Sequence, residues 1–184
     1  GSLALNLVLP TRSETTVVVP RGVSMFGFIV DPWRPDLRGA LEGSGNDSLF
    51  ARWDPLQGRY RFDTEAGLPG RGRGYFTRMP AVRSMRVVGV ASDAEPVSVA
   101  LEPGWNLITN PLGTSFDLNN VEVYKETDIA SDYSDARGTI LGLDAFRFVA
   151  GANDPASGVP EGGSFTATTN VAPGEGIYIR CLSS

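Results

Sequence analysis

The chain has no histidine, and Cys181 is its single cysteine. Histidine is the commonest general base and the commonest metal ligand in proteins, so Ser-His-Asp and Cys-His nucleophilic sites are excluded. One cysteine cannot form an intrachain disulfide or an ordinary zinc site. We expect Cys181 to be a small buried apolar residue, with a reactive or intermolecular thiol as the alternative. The residue types therefore favour a protein that is not an enzyme and that needs no cofactor.

Carboxylates concentrate in a Ser- and Gly-containing segment, residues 126–144. Asp128, Asp132 and Asp135 are weak candidates for calcium ligands, because their spacing does not match the EF-hand pattern. A solvated acidic loop is the preferred interpretation. Paired carboxylates could also act as a glycosidase couple, but the sequence does not place two of them across a cleft. The glycines of PGRGRGYF precede a strand pattern and not a helix, so they predict a turn and not a phosphate loop.

Aromatic side chains are the candidates for ligand binding. Trp33 lies in a loop between Pro32 and Pro35, so it is the tryptophan that we expect to be exposed. Together with Tyr133 it could stack on a sugar, since exposed aromatic rings mark binding surfaces. Trp105 falls in a buried-strand pattern, and we expect it in the core.

Charge is divided unevenly along the chain. Residues 1–82 carry a net charge of +2 and residues 83–184 a net charge of −7. A basic half and an acidic half can attract each other in head-to-tail contacts between copies, although the preferred interpretation is that both halves are simply solvated. The candidates for such self-association are Arg59, Arg71 and Arg73 on the basic side, and Glu126, Asp128 and Asp132 on the acidic side. The overall acidity argues against nucleic acid as a partner. No apolar run approaches the length of a membrane span.

The elements that would position these residues come in two similar sets. Residues 3–22 (LALNLVLPTRSETTVVVPRG) align without a gap with residues 85–104 (MRVVGVASDAEPVSVALEPG). Each set continues with an apolar run that stops at Asp-Pro or Asn-Pro, and residues 101–111 (LEPGWNLITNP) contain the second run. Each set ends alike, in LPGRGRGYFTRM (68–79) and APGEGIYIRC (172–181). The pattern predicts a duplicated unit of short strands and tight turns.

The middle strands of the two sets are matched by their aromatic residues. Tyr60-Arg61-Phe62 corresponds to Phe146-Arg147-Phe148, and residues 121–125 to the strand before Asp54. Asp54-Pro55 and Gly58 predict a tight hairpin turn, across which Trp53 and Tyr60 pack. The second set is longer only in polar inserts, residues 126–143 and 151–163, as expected when loops and not strands vary. Function is therefore expected in these inserts and in the loop 33–46.

The order of these motifs resembles a family of modules in large bacterial secreted and cell-surface proteins, which read GWNLIS–P, then an aromatic-DPxxGxY hairpin, then PGxGYW. The matching residues are Gly104–Asn106 with Pro111, Trp53-Asp54-Pro55 with Gly58 and Tyr60, Pro69-Gly70 with Gly74-Tyr75, and Pro173-Gly174 with Gly176 and Tyr178. The first set lacks GWN and the second lacks the DPxxG hairpin. The resemblance implies an extracellular or cell-surface β-module and carries over no catalytic residue.

We therefore expect an all-β protein of two related antiparallel β-units, residues 1–82 and 83–184, each like a sandwich or barrel and related by a pseudo-twofold axis. The expected function is a non-enzymatic structural or assembly module of a bacterial surface or secreted protein. Its partners would be copies of itself or other surface-layer or fibre components. The alternative is a carbohydrate-binding or adhesive module that binds polysaccharide, which requires exposed aromatic residues in a groove. An enzyme is the third possibility, and it requires a cleft with convergent carboxylates.

Overall fold

A computed structural model describes residues 11–91, 96–124, 131–151 and 162–182. Strands account for 53% of the structure and helices for 9%, and the sheets are antiparallel. The all-β antiparallel class predicted from the turn signals is therefore confirmed. Among the described residues no helix is long and apolar enough to cross a membrane.

The elements are short and follow one another closely. The helices are α1 (Leu37–Ala40) and α2 (Tyr133–Ala136), with 3-10 turns at Asp63–Ala66 and Leu118–Asn120. The strands are β1 (Arg12–Val19), β2 (Gly22–Gly27), β3 (Asp31–Pro32), β4 (Leu49–Asp54), β5 (Arg59–Phe62), β6 (Gly74–Met79), β7 (Arg83–Val90), β8 (Gly104–Thr109), β9 (Phe116–Asp117), β10 (Glu122–Val123), β11 (Ser131–Asp132), β12 (Ala145–Ala150), β13 (Gly163–Thr168), β14 (Asn170–Val171) and β15 (Gly176–Cys181).

Local sequence explains the sharpest of the turns. Between β4 and β5, Asp54 accepts a hydrogen bond from the backbone of Gln57 at 3.1 Å, and Gly58 takes a φ of 61° that other residues rarely adopt. The hairpin predicted from Asp54-Pro55 and Gly58 is therefore confirmed. Asp36 likewise caps α1 by accepting from the backbone of Gly39 at 2.6 Å, as an N-cap aspartate does.

Two four-stranded sheets form the centre of the molecule. Sheet I has the order β2-β6-β4-β5, and sheet II has the order β8-β15-β12-β13. Their registers correspond, because Gly22 pairs with Met79 in sheet I as Gly104 pairs with Cys181 in sheet II. The two sheets therefore have equivalent strand orders, with β2, β6, β4 and β5 in the places of β8, β15, β12 and β13. Descent from a duplicated unit stays a prediction.

The predicted matching of the middle strands is wrong. β12 holds the position of β4, since Phe146 pairs with Tyr178 as Ala51 pairs with Phe76. The position of β5 is taken by β13, a strand that the sequence patterns did not predict. Within the predicted strand 121–125, Glu122–Val123 form β10 in a separate two-stranded ribbon. The error arises because aromatic-Arg-aromatic triplets in β5 and β12 look alike, whereas a strand's place in a sheet depends on distant partners.

Two hydrophobic cores lie on the outer faces of these sheets. Core I is between sheet I and the sheet β1-β7-β3, and it contains the fully buried Phe28, Phe50 and Tyr75. Core II lies between sheet II and α2, and it contains Ile177, Ile179 and Tyr133.

The strand β7 packs with elements from the first half of the chain. It pairs with β1 along its whole length, from Val19 opposite Arg83 to Arg12 opposite Val90. Its Met85 and Val87 are fully buried in core I. The division into units at residues 82 and 83 stays a prediction, but it separates β7 from the sheet and the core to which β7 contributes.

The two central sheets meet through backbone contacts at matching positions. Gly27 donates to the carbonyl oxygen of Gly174 at 2.8 Å, and Thr109 donates to that of Gly72 at 3.1 Å. A Cβ atom added to Gly74 would lie 2.6 Å from Leu107 Cγ, which is closer than real Cβ contacts. Glycine is therefore required where the sheets cross.

We expect Gly74→Ala to lower the free energy of unfolding by about 1–3 kcal/mol, because the new methyl group overpacks the crossing of the sheets. Gly113→Ala is the matched control, since nothing lies within 4 Å of the added Cβ there. Urea denaturation of both variants measures the difference. Equal stability of the two variants would show that the crossing relaxes without cost.

Candidate functional site

The faces of sheets I and II that point away from the cores are lined with aromatic side chains. Successive residues of a strand point to opposite faces, so Tyr75 enters core I while its neighbour Phe76 turns towards sheet II. In sheet II, Ile177 and Ile179 enter core II and Tyr178 between them turns towards sheet I. The aromatic layer between the sheets consists of Trp53, Tyr60, Phe76, Trp105, Phe146, Phe148, Phe165 and Tyr178.

The rings of this layer are packed mostly edge to face. Trp53 and Tyr60 have centroids 5.1 Å apart with an interplanar angle of 69°, and Trp105 and Tyr178 are 6.3 Å apart at 88°. Phe76 and Phe148 join the sheets at 5.8 Å and 72°. Edge-to-face contacts of this kind add about 0.5–1.5 kcal/mol each beyond the buried area, so the layer holds the sheets together.

At one end the aromatic layer opens to solvent as a pocket of about 370 Å³. It is lined by Trp53, Tyr60, Trp105, Phe146, Phe165 and Tyr178, which we call the aromatic pocket. Trp105 is 40% exposed and Phe165 is 50% exposed, while Tyr178 is 8% exposed and lies deepest. Its volume is near the lower end of the range for ligand sites, about 300–1,000 Å³.

Two hydrogen bonds fix the positions of the pocket residues. The hydroxyl groups of Tyr60 and Tyr178 are 2.8 Å apart, and Trp53 Nε1 donates to the carbonyl oxygen of Trp105 at 2.6 Å. Both bonds join sheet I to sheet II. Because a hydroxyl pair uses only one of its two protons internally, one O–H donor is left for a ligand.

An arginine residue lies beside the pocket residue Trp105. Arg180 is directly opposite Trp105 in the ladder of β8 and β15, and alternation places it on the same face as Tyr178. Arg180 is exposed and makes no ion pair with any residue in the described ranges. In contrast, Arg61 near Trp53 forms an ion pair with Asp54 at 2.5 Å. The aromatic pocket therefore has apolar walls and a tyrosine hydroxyl, and Arg180 lies next to it in the ladder, opposite Trp105.

Comparison with family models, with curated proteins and with solved structures gave no match. The resemblance to bacterial surface modules therefore stays a prediction, and the interpretation of the site depends on its geometry.

The predicted aromatic candidates are only partly where they were expected. Trp33 is 52% exposed, but it lies outside the aromatic pocket, with the guanidinium carbon of Arg12 at 5.9 Å from its ring centroid. The prediction that Tyr133 is a ligand-binding residue is wrong, because α2 packs its ring into core II and leaves it 2% exposed. The placement of Trp105 in the core is also wrong, since β8 is the last strand of sheet II and its inner face reaches the solvent.

The residues predicted for head-to-tail association have local partners in several cases. Arg71 forms an ion pair with Asp31 at 2.9 Å, and Arg59 donates to Gln57 at 2.7 Å. Arg73 donates to the carbonyl oxygen of Leu68 at 3.0 Å. Asp132 is exposed at the start of α2, whereas Glu126 and Asp128 lie outside the described residues.

The predicted metal and thiol candidates give no site within the described part of the chain. No group of three or more His, Cys, Asp or Glu residues is arranged there to hold a metal ion. Asp132 and Asp135 are exposed, and the third calcium candidate, Asp128, is outside the described residues. Cys181, expected to be buried, is only partly buried, because it ends β15 opposite Gly104 at the edge of the ladder.

The tyrosine pair predicts a loss of stability in alkali. Burial, followed by the hydrogen bond between the Tyr178 and Tyr60 hydroxyl groups, raises the pKa of Tyr178 above its ordinary value of 10.0. The folded protein therefore holds this proton more tightly than the unfolded chain, so the contribution is complete below pH 10 and is lost as the pH rises. We expect the free energy of unfolding to fall above about pH 10.

Urea denaturation between pH 8 and pH 11 measures this effect, and Tyr178→Phe should make the dependence on pH shallower. The stability of this variant should still depend on pH to some extent, because burial also raises the pKa of Tyr75. If the variant and the original protein lose stability in parallel, Tyr178 is not the group responsible.

Proposed function

We propose that the protein is a non-enzymatic carbohydrate-binding or adhesive module whose ligand enters the aromatic pocket. The observation that supports this function is an open pocket walled by Trp53 and Trp105, with the rings fixed by contacts between two sheets. The apolar faces of sugar rings stack on such side chains, and a few placed polar groups orient the ligand.

The polar groups favour an acidic sugar over a neutral one. A carboxylate or sulfate on the bound sugar would form a charge-assisted hydrogen bond with Arg180, next to Trp105. The hydroxyl pair of Tyr60 and Tyr178 would bond to a sugar hydroxyl on the pocket floor. No acidic side chain among the described residues lines the pocket, so an anionic ligand meets no local repulsion from them.

A glycan array that presents neutral and acidic oligosaccharides tests this proposal on the whole chain. We expect selective binding to glycans with a uronate or sulfate group, and a loss of that preference in Arg180→Gln. Arg78→Gln is the matched control, because Arg78 is an exposed arginine on β6 whose ladder partners, Val23 and Leu49, do not line the pocket. An array without any signal for the original protein would contradict the proposed function.

A second candidate function is a structural or assembly module of a bacterial surface or secreted protein, located outside the cell. The resemblance of the turn motifs and the unequal charge of the two halves support it. Head-to-tail contacts of this electrostatic kind predict oligomers that dissociate as salt is added. Light scattering at low and high salt tests this, and a monomer under both conditions would count against it.

A further inference from the structure

Within the described parts of the chain, β13 is an edge strand that carries none of the usual protection against pairing with another strand. It is the last strand of sheet II, and five of its six residues are exposed. Its sequence, GSFTAT, has no charged residue and no proline. Natural edge strands usually carry charges, prolines or bulges, because a bare edge presents unpaired N–H and C=O groups to other chains.

The corresponding strand of sheet I shows the contrast. β5 is the edge strand at the same place in the strand order, and it carries Arg59 and Arg61 within four residues. Charges on β5 would oppose like charges in a symmetric pair of two copies. β13 has no such restriction, so the two edges differ in their ability to add a strand.

Hydrogen-bond alternation identifies which groups of β13 point outwards. Gly151 donates to the carbonyl oxygen of Gly162 at 3.2 Å, one position beyond the pair of Ala150 and Gly163. In an antiparallel pair, alternate residues direct their N–H and C=O groups to the same partner. Gly163, Phe165 and Ala167 therefore direct theirs away from β12, to the open edge.

These three residues are complementary to a second copy of themselves. An axis of twofold symmetry through Phe165 places Phe165 opposite its counterpart and Gly163 opposite Ala167, so that all six outward N–H groups find a C=O group. The small residues leave room for close approach, and the two half-exposed phenylalanine rings would meet on one face. The edge thus matches its own copy in both hydrogen bonding and shape.

We propose that the chain forms a symmetric dimer by antiparallel pairing of β13 with β13 of a second copy. The pairing joins the two copies of sheet II into one eight-stranded sheet, and it is isologous, so it closes at two chains. This contact shares Phe165 with the aromatic pocket. It differs from the head-to-tail contact, because it contains no ion pair. A contact of one short strand is smaller than a standard interface, so a weak dimer is expected.

Sedimentation velocity of the whole chain, from about 10 µM to about 1 mM, tests the proposal. We expect dimers that increase with concentration, persist in high salt and do not grow further. Ala167→Pro removes an outward N–H group from each copy without a loss of hydrogen bonds to β12, and proline is tolerated on an outward edge. It should weaken dimerisation at least tenfold.

Phe165→Lys is the second variant, because it places like charges opposite each other at the axis, and it decides the result if Ala167→Pro fails to fold. Val82→Lys is the control, since it adds the same charge at an exposed position before β7. It should dimerise like the original protein. The proposal is overturned if the original chain stays monomeric at about 1 mM, if folded β13 variants dimerise unchanged, or if salt dissociates the dimer.

Discussion

Replacement of Asn110 by leucine is expected to lower the free energy of unfolding by about 3–5 kcal/mol, which is among the largest effects of a single substitution. The side chain of Asn110 is completely buried after β8. Its Nδ2 atom donates to the carbonyl oxygens of Thr114 at 2.8 Å and Val171 at 2.9 Å, and its Oδ1 atom accepts from Leu112 at 2.8 Å. Leucine has a similar size but leaves all three backbone groups without this partner.

The backbone of Asn110 adds to this role. Its N–H donates to Glu175 at 3.1 Å, and its C=O accepts from Gly174 at 3.0 Å, just before β15 begins. One residue therefore joins the end of β8, the following loop, β14 and the turn between β14 and β15. The loss of the side chain should loosen one edge of core II, since Val171 is fully buried there.

Chemical denaturation followed by tryptophan fluorescence measures the change. Asn120→Leu is the matched control, because Asn120 is exposed in the 3-10 turn and its side chain makes no hydrogen bond to the described residues. The control should change stability by no more than about 0.5 kcal/mol. A similar loss in both variants would mean that the buried amide network contributes little.

The sequence predicted those parts of the fold that are determined locally. Asn110-Pro111 correctly marked the end of a strand, since proline cannot donate to a ladder. Gly22 and Gly104 both adopt φ angles above 90°, and their shared place before an apolar run was visible in the alignment of the two sets. The hydrogen-bond partners of the Asn110 side chain could not be predicted from the sequence, because one of them, Val171, lies far along the chain.

The aromatic pocket could not be predicted for the same reason. Trp105 lies in an apolar run, and such a run usually indicates a strand that is buried on both faces. The exposure of Trp105 depends on two facts that no local pattern contains, namely that β8 ends its sheet and that two sheets cross face to face. Trp33 was chosen instead because neighbouring prolines are a local signal for a loop.

Trp105→Ala is therefore expected to weaken glycan binding by about 30-fold or more, since truncation of a central aromatic residue in a binding site typically costs about 2 kcal/mol or more. The substitution removes one wall of the aromatic pocket. It retains the backbone carbonyl oxygen that accepts from Trp53 Nε1, so the bond between the sheets is kept. The binding change should thus exceed any change in fold, which near-UV circular dichroism can verify.

Trp33→Ala is the matched control, because it removes the same side chain from a site that is 52% exposed and outside the pocket. Isothermal titration calorimetry with the oligosaccharide that binds most strongly on the array compares both variants with the original protein. Loss of binding in Trp105→Ala alone supports the pocket. Loss in Trp33→Ala alone would move the binding surface to the loop that follows β3, and it would show that the aromatic layer serves only to hold the two sheets together.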